Sequence, residues 1–183
     1  MNEVNAVSKD EVAMIHTALN NKFGQLYADI WKVGVNMALR IGDLLDLKYT
    51  DLNLIDRTLI LKESKTDKNK QIRLNDAVLV IINRRRAEFP NDVWLFQVHS
   101  NRASDKPVSR VSVSRTFKAV GDMFNLNVNT HSMRKSRGKA MHDAGVPIAK
   151  ISKVLNHSNT KTTMAYIGVS KADVQQTYDD FQL

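Results

Sequence analysis

The chain has 183 residues, 43% of them hydrophobic and 25% charged, which suits one folded domain and argues against wholesale disorder. It has no cysteine, which excludes a disulfide scaffold, a Cys-ligated zinc site and a thiol nucleophile. Its 27 Lys and Arg outweigh 19 Asp and Glu for a formal net charge of +8, and no apolar run approaches the roughly 18 residues that span a bilayer.

Ser8 with Glu11 reads as a capping box that opens a helix through about Leu19. A second helix is expected from Gln25 to Ala38, with Leu26, Ile30, Val33 and Met37 at helical spacing. Arg40 follows, then a short helix through Leu44 and Leu45, and Tyr49 begins an extended stretch. Leu52 to Ile55, Thr58 to Leu61 and Gln71 to Leu74 read as a small antiparallel sheet, the last two strands joined by the polar turn Ser64 to Lys70. Helices resume at Asp76 to Glu88. Val113, Phe117, Val120 and Phe124 mark the core face of another, His131 to Ala144 forms one stopped by Gly145, and Ile148, Ile151, Val154 and Leu155 mark one more. The expected class is mainly α with a small antiparallel β-sheet, an α+β domain. Residues 8–169 would be its core. Residues 170–183 would form an amphipathic, acidic tail helix with Val174, Tyr178 and Phe181 as anchors.

The charge is uneven. Residues 1–56 carry 5 basic and 8 acidic side chains, residues 57–130 carry 14 and 7, and residues 131–166 carry 7 and 1. Such asymmetry suggests a polyanionic partner, most often nucleic acid.

Four pieces of the sequence carry candidate chemistry. Arg40 lies in the otherwise apolar run Ala38-Leu39-Arg40-Ile41-Gly42-Asp43-Leu44-Leu45, Lys65 lies on the polar turn, and His131 and Arg134 are three apart on one helix face. Leu155-Asn156-His157-Ser158-Asn159 follows, with Thr162, Thr163 and Tyr166 beyond it. Singly, each has a plain explanation: a surface ion pair of Arg40 with Asp43, a solvated turn lysine, a capping histidine, a tyrosine at the core edge. His131 and His157 lack acidic partners at ligand spacing, so no metal site and no cofactor are expected.

Jointly they resemble the catalytic domain of the tyrosine recombinases, the phage integrase family. The family pattern is an Arg box, a hairpin Lys, His-x-x-Arg, Leu-Gly-His and a Tyr nine residues later. Arg40, Lys65, His131 with Arg134, His157 and Tyr166 match it in order and spacing across residues 7–169. Departures are Ala38 for Gly, Asp43 for Glu, Met133 for Leu, Lys135 for His and Asn156 for Gly, none of which removes a reactive group. Asn156 can adopt the left-handed conformation that Gly serves.

The resemblance implies site-specific DNA strand transfer through a covalent 3′-phosphotyrosine, with no N-terminal core-binding domain in this chain and assembly as a homo-oligomer, a tetramer, on double-stranded DNA. The chemistry agrees. Attack on a phosphodiester builds charge on its non-bridging oxygens, and Arg40 and Arg134 supply fixed bidentate cations for it, with His157 a third donor. A tyrosine with a pKa of about 10 is on the order of 0.1% ionised at pH 7, so the cationic pocket should stabilise a developing phenolate at Tyr166. His131 would be its proton acceptor or orienting partner, and Lys65 the general acid for the leaving 5′-oxygen. Tyr27, Tyr49 and Tyr178 lack the spacing from His157. Lys135, Arg137, Lys139, Lys150, Lys153 and Lys161 are candidate phosphate contacts. A cytoplasmic, nucleoid-associated protein with no membrane partner is expected. A catalytically inactive DNA-binding regulator and a type IB topoisomerase-like enzyme are the alternatives.

Overall fold

The computed structural model describes residues 6–62, 69–100, 105–169 and 171–180. Lys65 and the polar turn around it, and Phe181 in the tail, lie outside the described residues.

The capping box forms: the Ser8 backbone N–H donates to Glu11 Oε2 (2.6 Å) and the Glu11 N–H to Ser8 Oγ (3.2 Å). Helix α1 (Lys9–Phe23) runs one turn past the expected Leu19, because its stop is Gly24, whose φ of +93° breaks the chain from α2 (Gln25–Met37). Helix α2 is central and carries the expected Ile30, Val33 and Met37 face. Ala38 ends α2 in the left-handed conformation (φ 51°), Leu39 and Arg40 turn the chain, and α3 (Ile41–Leu45) follows.

Strands β1 (Leu52–Asn53), β2 (Thr58–Lys62) and β3 (Asn69–Arg73) make an antiparallel sheet in the order β1-β2-β3, with Leu52 opposite Leu59 and Leu59 opposite Ile72. Strand β1 is two residues shorter than expected. Asn53 closes a side-chain turn, its Oδ1 accepting from the Asp56 N–H (2.9 Å), so Leu54 and Ile55 lie in that turn and Ile55 is 95% exposed. Tyr49 opens a 3-10 turn (Tyr49–Asp51), not a strand, and its buried ring lies under the Arg86 guanidinium, 3.6 Å from the ring centre.

Helices α4 (Asp76–Glu88), α5 (Arg110–Met123), α6 (Ser132–Asp143), α7 (Ile148–Leu155), α8 (Thr160–Ile167) and α9 (Lys171–Asp180) complete the fold. The main core joins Trp31, Leu44, Leu59, Phe96 and Phe117, with Trp31 and Phe117 edge to face at 5.3 Å. Asp29 of α2, 1% exposed, is held by Arg84 (2.5 Å) and Arg85 (3.4 Å) of α4, a pairing across the core.

A smaller cluster of Ala38, Ile151, Leu155 and Ile167 lies under α7 and α8. Two glycines set how closely the helices meet around α6. A Cβ on Gly34 of α2 would stand 2.1 Å from Met133 Sδ, and a Cβ on Gly138 of α6 would stand 2.8 Å from Ile167 and 3.1 Å from Leu155. Helix α6 thus lies against α2 on one side and against the α7–α8 pair on the other, and the candidate site forms along it.

Candidate active site

Three of the expected residues converge on one cleft of about 230 Å³, lined by Arg40, Ile41, Gly42, Arg110, Thr130, His131 and Arg134. Arg40 caps α3 with extended backbone, after the left-handed Ala38 has turned the chain out of α2. His131 caps α6, its N–H donating to Asn129 Oδ1 (2.7 Å). Arg134, one turn into α6, is 3% exposed. A buried guanidinium needs partners, and Arg134 finds them in two carbonyls far apart in sequence. Its Nη1 donates to Ala38 O at the end of α2, and its Nη2 to Leu155 O at the end of α7 (2.6 Å). It therefore clamps the smaller cluster to the main body while lining the cleft.

Tyr166 stands at the edge of this arrangement on α8. Its hydroxyl donates to the His131 backbone carbonyl (3.4 Å), and its ring meets the His157 ring edge-on, with centres 4.9 Å apart. His157 sits in the turn after α7, which Asn156 closes with φ 51°, the left-handed conformation expected of it. The His157 Nδ1 lies 3.0 Å from Thr163 Oγ1. Burial pushes the Tyr166 phenol above the ordinary tyrosine value, against the opposing pull of Arg134 and Arg40. The Arg134 and Arg40 guanidiniums pull the phenol down, and desolvation outweighs them. The imidazole touching Tyr166 is that of His157, and His131 reaches the hydroxyl through its main chain.

A second, open groove of about 550 Å³ flanks the tyrosine, lined by Lys135, Asn159, Lys161, Thr162, Ala165 and Tyr166. It brings two of the candidate phosphate contacts to the tyrosine, and Lys135 Nζ lies 5.5 Å from the centre of its ring. Lys150 and Lys153 are exposed on α7 and line neither cleft. Lys139 pairs with Asp143 one turn on (2.5 Å), and Arg137 is half-buried with its Nε enclosed.

Arg110 is the cleft residue that the sequence reading missed. It opens α5 after the Ser109 cap, whose side chain accepts from the Ser112 N–H (3.1 Å). The Ser109 cap signals a helix start, but no motif signals that this start faces Arg40 and Arg134. Among the described residues no group of three or more His, Asp or Glu is placed to hold a metal ion, and no helix is long and apolar enough to cross a membrane.

With the geometry in place, the comparison with known proteins is decisive. The model of the phage integrase family matches residues 5–173. The chain belongs to this family, that of the tyrosine recombinases. The probable integrase/recombinase YoeC of Bacillus subtilis (strain 168) is 31% identical over 149 residues, 81% of this chain and 80% of that protein. Tyrosine recombinase XerA of Pyrococcus horikoshii is 28% identical over 179 residues, covering 97% of this chain and 61% of that protein. The Tn1549 transposon integrase, solved in complex with a circular intermediate DNA, shares the fold with a TM-score of 0.78 at 17% identity. That match covers 98% of this chain and 66% of that one. The chain thus spans less than two thirds of the XerA and transposon integrase chains, and four fifths of the Bacillus relative. The mainly helical fold with its small antiparallel sheet is that of the recombinase catalytic domain.

Proposed function

We propose that this member of the family cleaves and rejoins DNA strands site-specifically, with Tyr166 as the nucleophile and residues 8–169 as the catalytic core. The observation that carries the reading is the convergence of Arg40 and Arg134, from α3 and α6, on one cleft whose edge holds the Tyr166 hydroxyl. A phosphodiester placed there meets two guanidiniums and neutralises the cations that otherwise face one another. Tyr166 Oη gives up its proton and attacks phosphorus, and the bond to the 5′-oxygen breaks as that oxygen takes a proton from Lys65. The product is a 3′-phosphotyrosine and a free 5′-hydroxyl. Religation runs the same steps backward and needs no external energy source, because the phosphotyrosine keeps the energy of the broken bond.

Arg40 and Arg134 hold the non-bridging oxygens in this scheme, His157 adds a third donor, and His131 orients or accepts the tyrosine proton. The groove of Lys135 and Lys161 beside Tyr166 follows the neighbouring backbone phosphates. The partner is double-stranded DNA, a reading supported by the transposon integrase solved with a circular intermediate DNA, and the working unit is a homo-oligomer, a tetramer on paired sites, within the cytoplasm. A nicked suicide DNA substrate tests the scheme by trapping the covalent adduct. The adduct is expected with the wild type and absent with Tyr166→Phe. An adduct that survives Tyr166→Phe places the nucleophile elsewhere.

A further inference from the structure

Thr163 is fully buried on α8, and a buried hydroxyl needs hydrogen-bond partners. It has two. Its Oγ1 lies 3.4 Å from the Asn159 carbonyl one turn earlier, and 3.0 Å from His157 Nδ1. The imidazole contact is the shorter, and 3.4 Å is long for an O–H···O bond, so the single hydroxyl proton goes to His157 Nδ1 and the Asn159 carbonyl keeps only a weak contact. With Nδ1 as acceptor, the neutral ring carries its hydrogen on Nε2, on the side away from Thr163, where it can donate to a phosphate oxygen. Thr163 and Tyr166 are three residues apart on α8, on one face of the helix, and the His157 ring touches both.

We propose that Thr163 is a positioning residue for strand transfer: it fixes His157 in its Nε2–H form and ties that imidazole to the helix that carries the nucleophile. The proposal rests on the strand-transfer reading above and adds to it how the second histidine is aimed. His157 belongs to the turn after α7, yet its ring is gripped by two side chains of α8. Any movement of α8 that brings Tyr166 toward phosphorus carries the imidazole with it. Nucleophile and phosphate donor then arrive as one unit, in fixed relative orientation. Without the Thr163 hydroxyl that registration would lose its tie at Nδ1.

The experiment uses the whole chain with Thr163→Val, which keeps the shape and removes the hydroxyl, and Thr163→Ser, which restores it. Nitrogen NMR of the histidine ring, assigned with His157→Gln and recorded without DNA, reads the tautomer. Single-turnover adduct formation on the suicide DNA reads the chemistry, and a DNA titration reads affinity. The expected wild-type signal is Nε2–H. Thr163→Val should populate both tautomers and slow adduct formation about tenfold, the worth of one hydrogen bond, at unchanged DNA affinity. Thr163→Ser should recover both readings. A wild-type ring protonated at Nδ1, a Thr163→Val protein with unchanged tautomer and rate, or failure of Thr163→Ser to rescue would each overturn the proposal. A normal Nε2–H signal with no wild-type adduct would overturn the strand-transfer reading while upholding the Thr163–His157 arrangement.

Discussion

Arg134 is expected to hold the fold together as well as to face the cleft, and Arg134→Lys separates the two roles. The guanidinium forks between Ala38 O, at the end of α2, and Leu155 O, at the end of α7, the latter at 2.6 Å. A lysine keeps the charge, but its three donors converge on one nitrogen, which can serve one of these carbonyls and not both. The variant therefore loses one charge-assisted hydrogen bond and leaves one buried carbonyl unpaired. Such a bond is worth about 1.5–3 kcal/mol, so the expected loss of stability is about 2 kcal/mol. For a chain of this length that lowers the melting temperature by roughly 4–8 °C. Calorimetry or denaturant unfolding without DNA measures it, and the suicide substrate measures adduct formation in parallel. If Arg134→Lys loses adduct formation but melts within about 0.5 kcal/mol of the wild type, an uncertainty typical of such comparisons, the clamp contributes nothing to the fold and the reasoning fails.

Gly138→Ala should cost about 1–3 kcal/mol by overpacking, because its Cβ would stand 2.8 Å from Ile167 and 3.1 Å from Leu155. Ile167 adjoins Tyr166, so adduct formation should slow more than DNA affinity weakens, and a variant with wild-type adduct kinetics would show that α8 tolerates the displacement. Asn156 is left-handed at φ 51°, so Asn156→Gly should be more stable than Asn156→Ala by about 1 kcal/mol in denaturant unfolding. Equal midpoints would mean that this turn relaxes. Burial, aided by Lys32, holds the His16 imidazole below its ordinary value. Between that lowered value and about 6.5 the unfolded chain binds a proton that the folded chain does not, so stability falls as the pH drops below about 6.5. His16→Gln should flatten that acid limb, and an unchanged limb would assign it to other groups.

The parts of the fold that were legible in the sequence are those governed by local rules. The Ser8–Glu11 box, the Asp76–Glu88 helix and the left-handed Asn156 each follow from the residues within a turn of themselves. The parts that were not legible depend on neighbours brought in by packing. Arg134 reaches carbonyls 96 and 21 residues away, and Asp29 meets Arg84 and Arg85 more than 50 residues on. Arg110 reaches the cleft only because α5 packs with its start beside α3. Tyr166, singled out by its spacing from His157, is expected from the sequence to have its phenolate stabilised by the cationic pocket. Burial, which spacing does not report, decides the direction instead.

Ala38 shows how the two levels meet. The resemblance marked it as a departure, with alanine where the family pattern has glycine. The structure puts it in the left-handed conformation, φ 51°, where a Cβ costs roughly 1–2 kcal/mol. That turn is needed, because it aims the Ala38 carbonyl at Arg134 and delivers Arg40 to the cleft. The same Cβ is fully buried against Ile151, Leu155 and Ile167, and burial of one methyl contributes about 0.8 kcal/mol. Packing offsets roughly half of the strain, so alanine keeps the turn at a net cost of about 1 kcal/mol or less, and the two guanidiniums remain together.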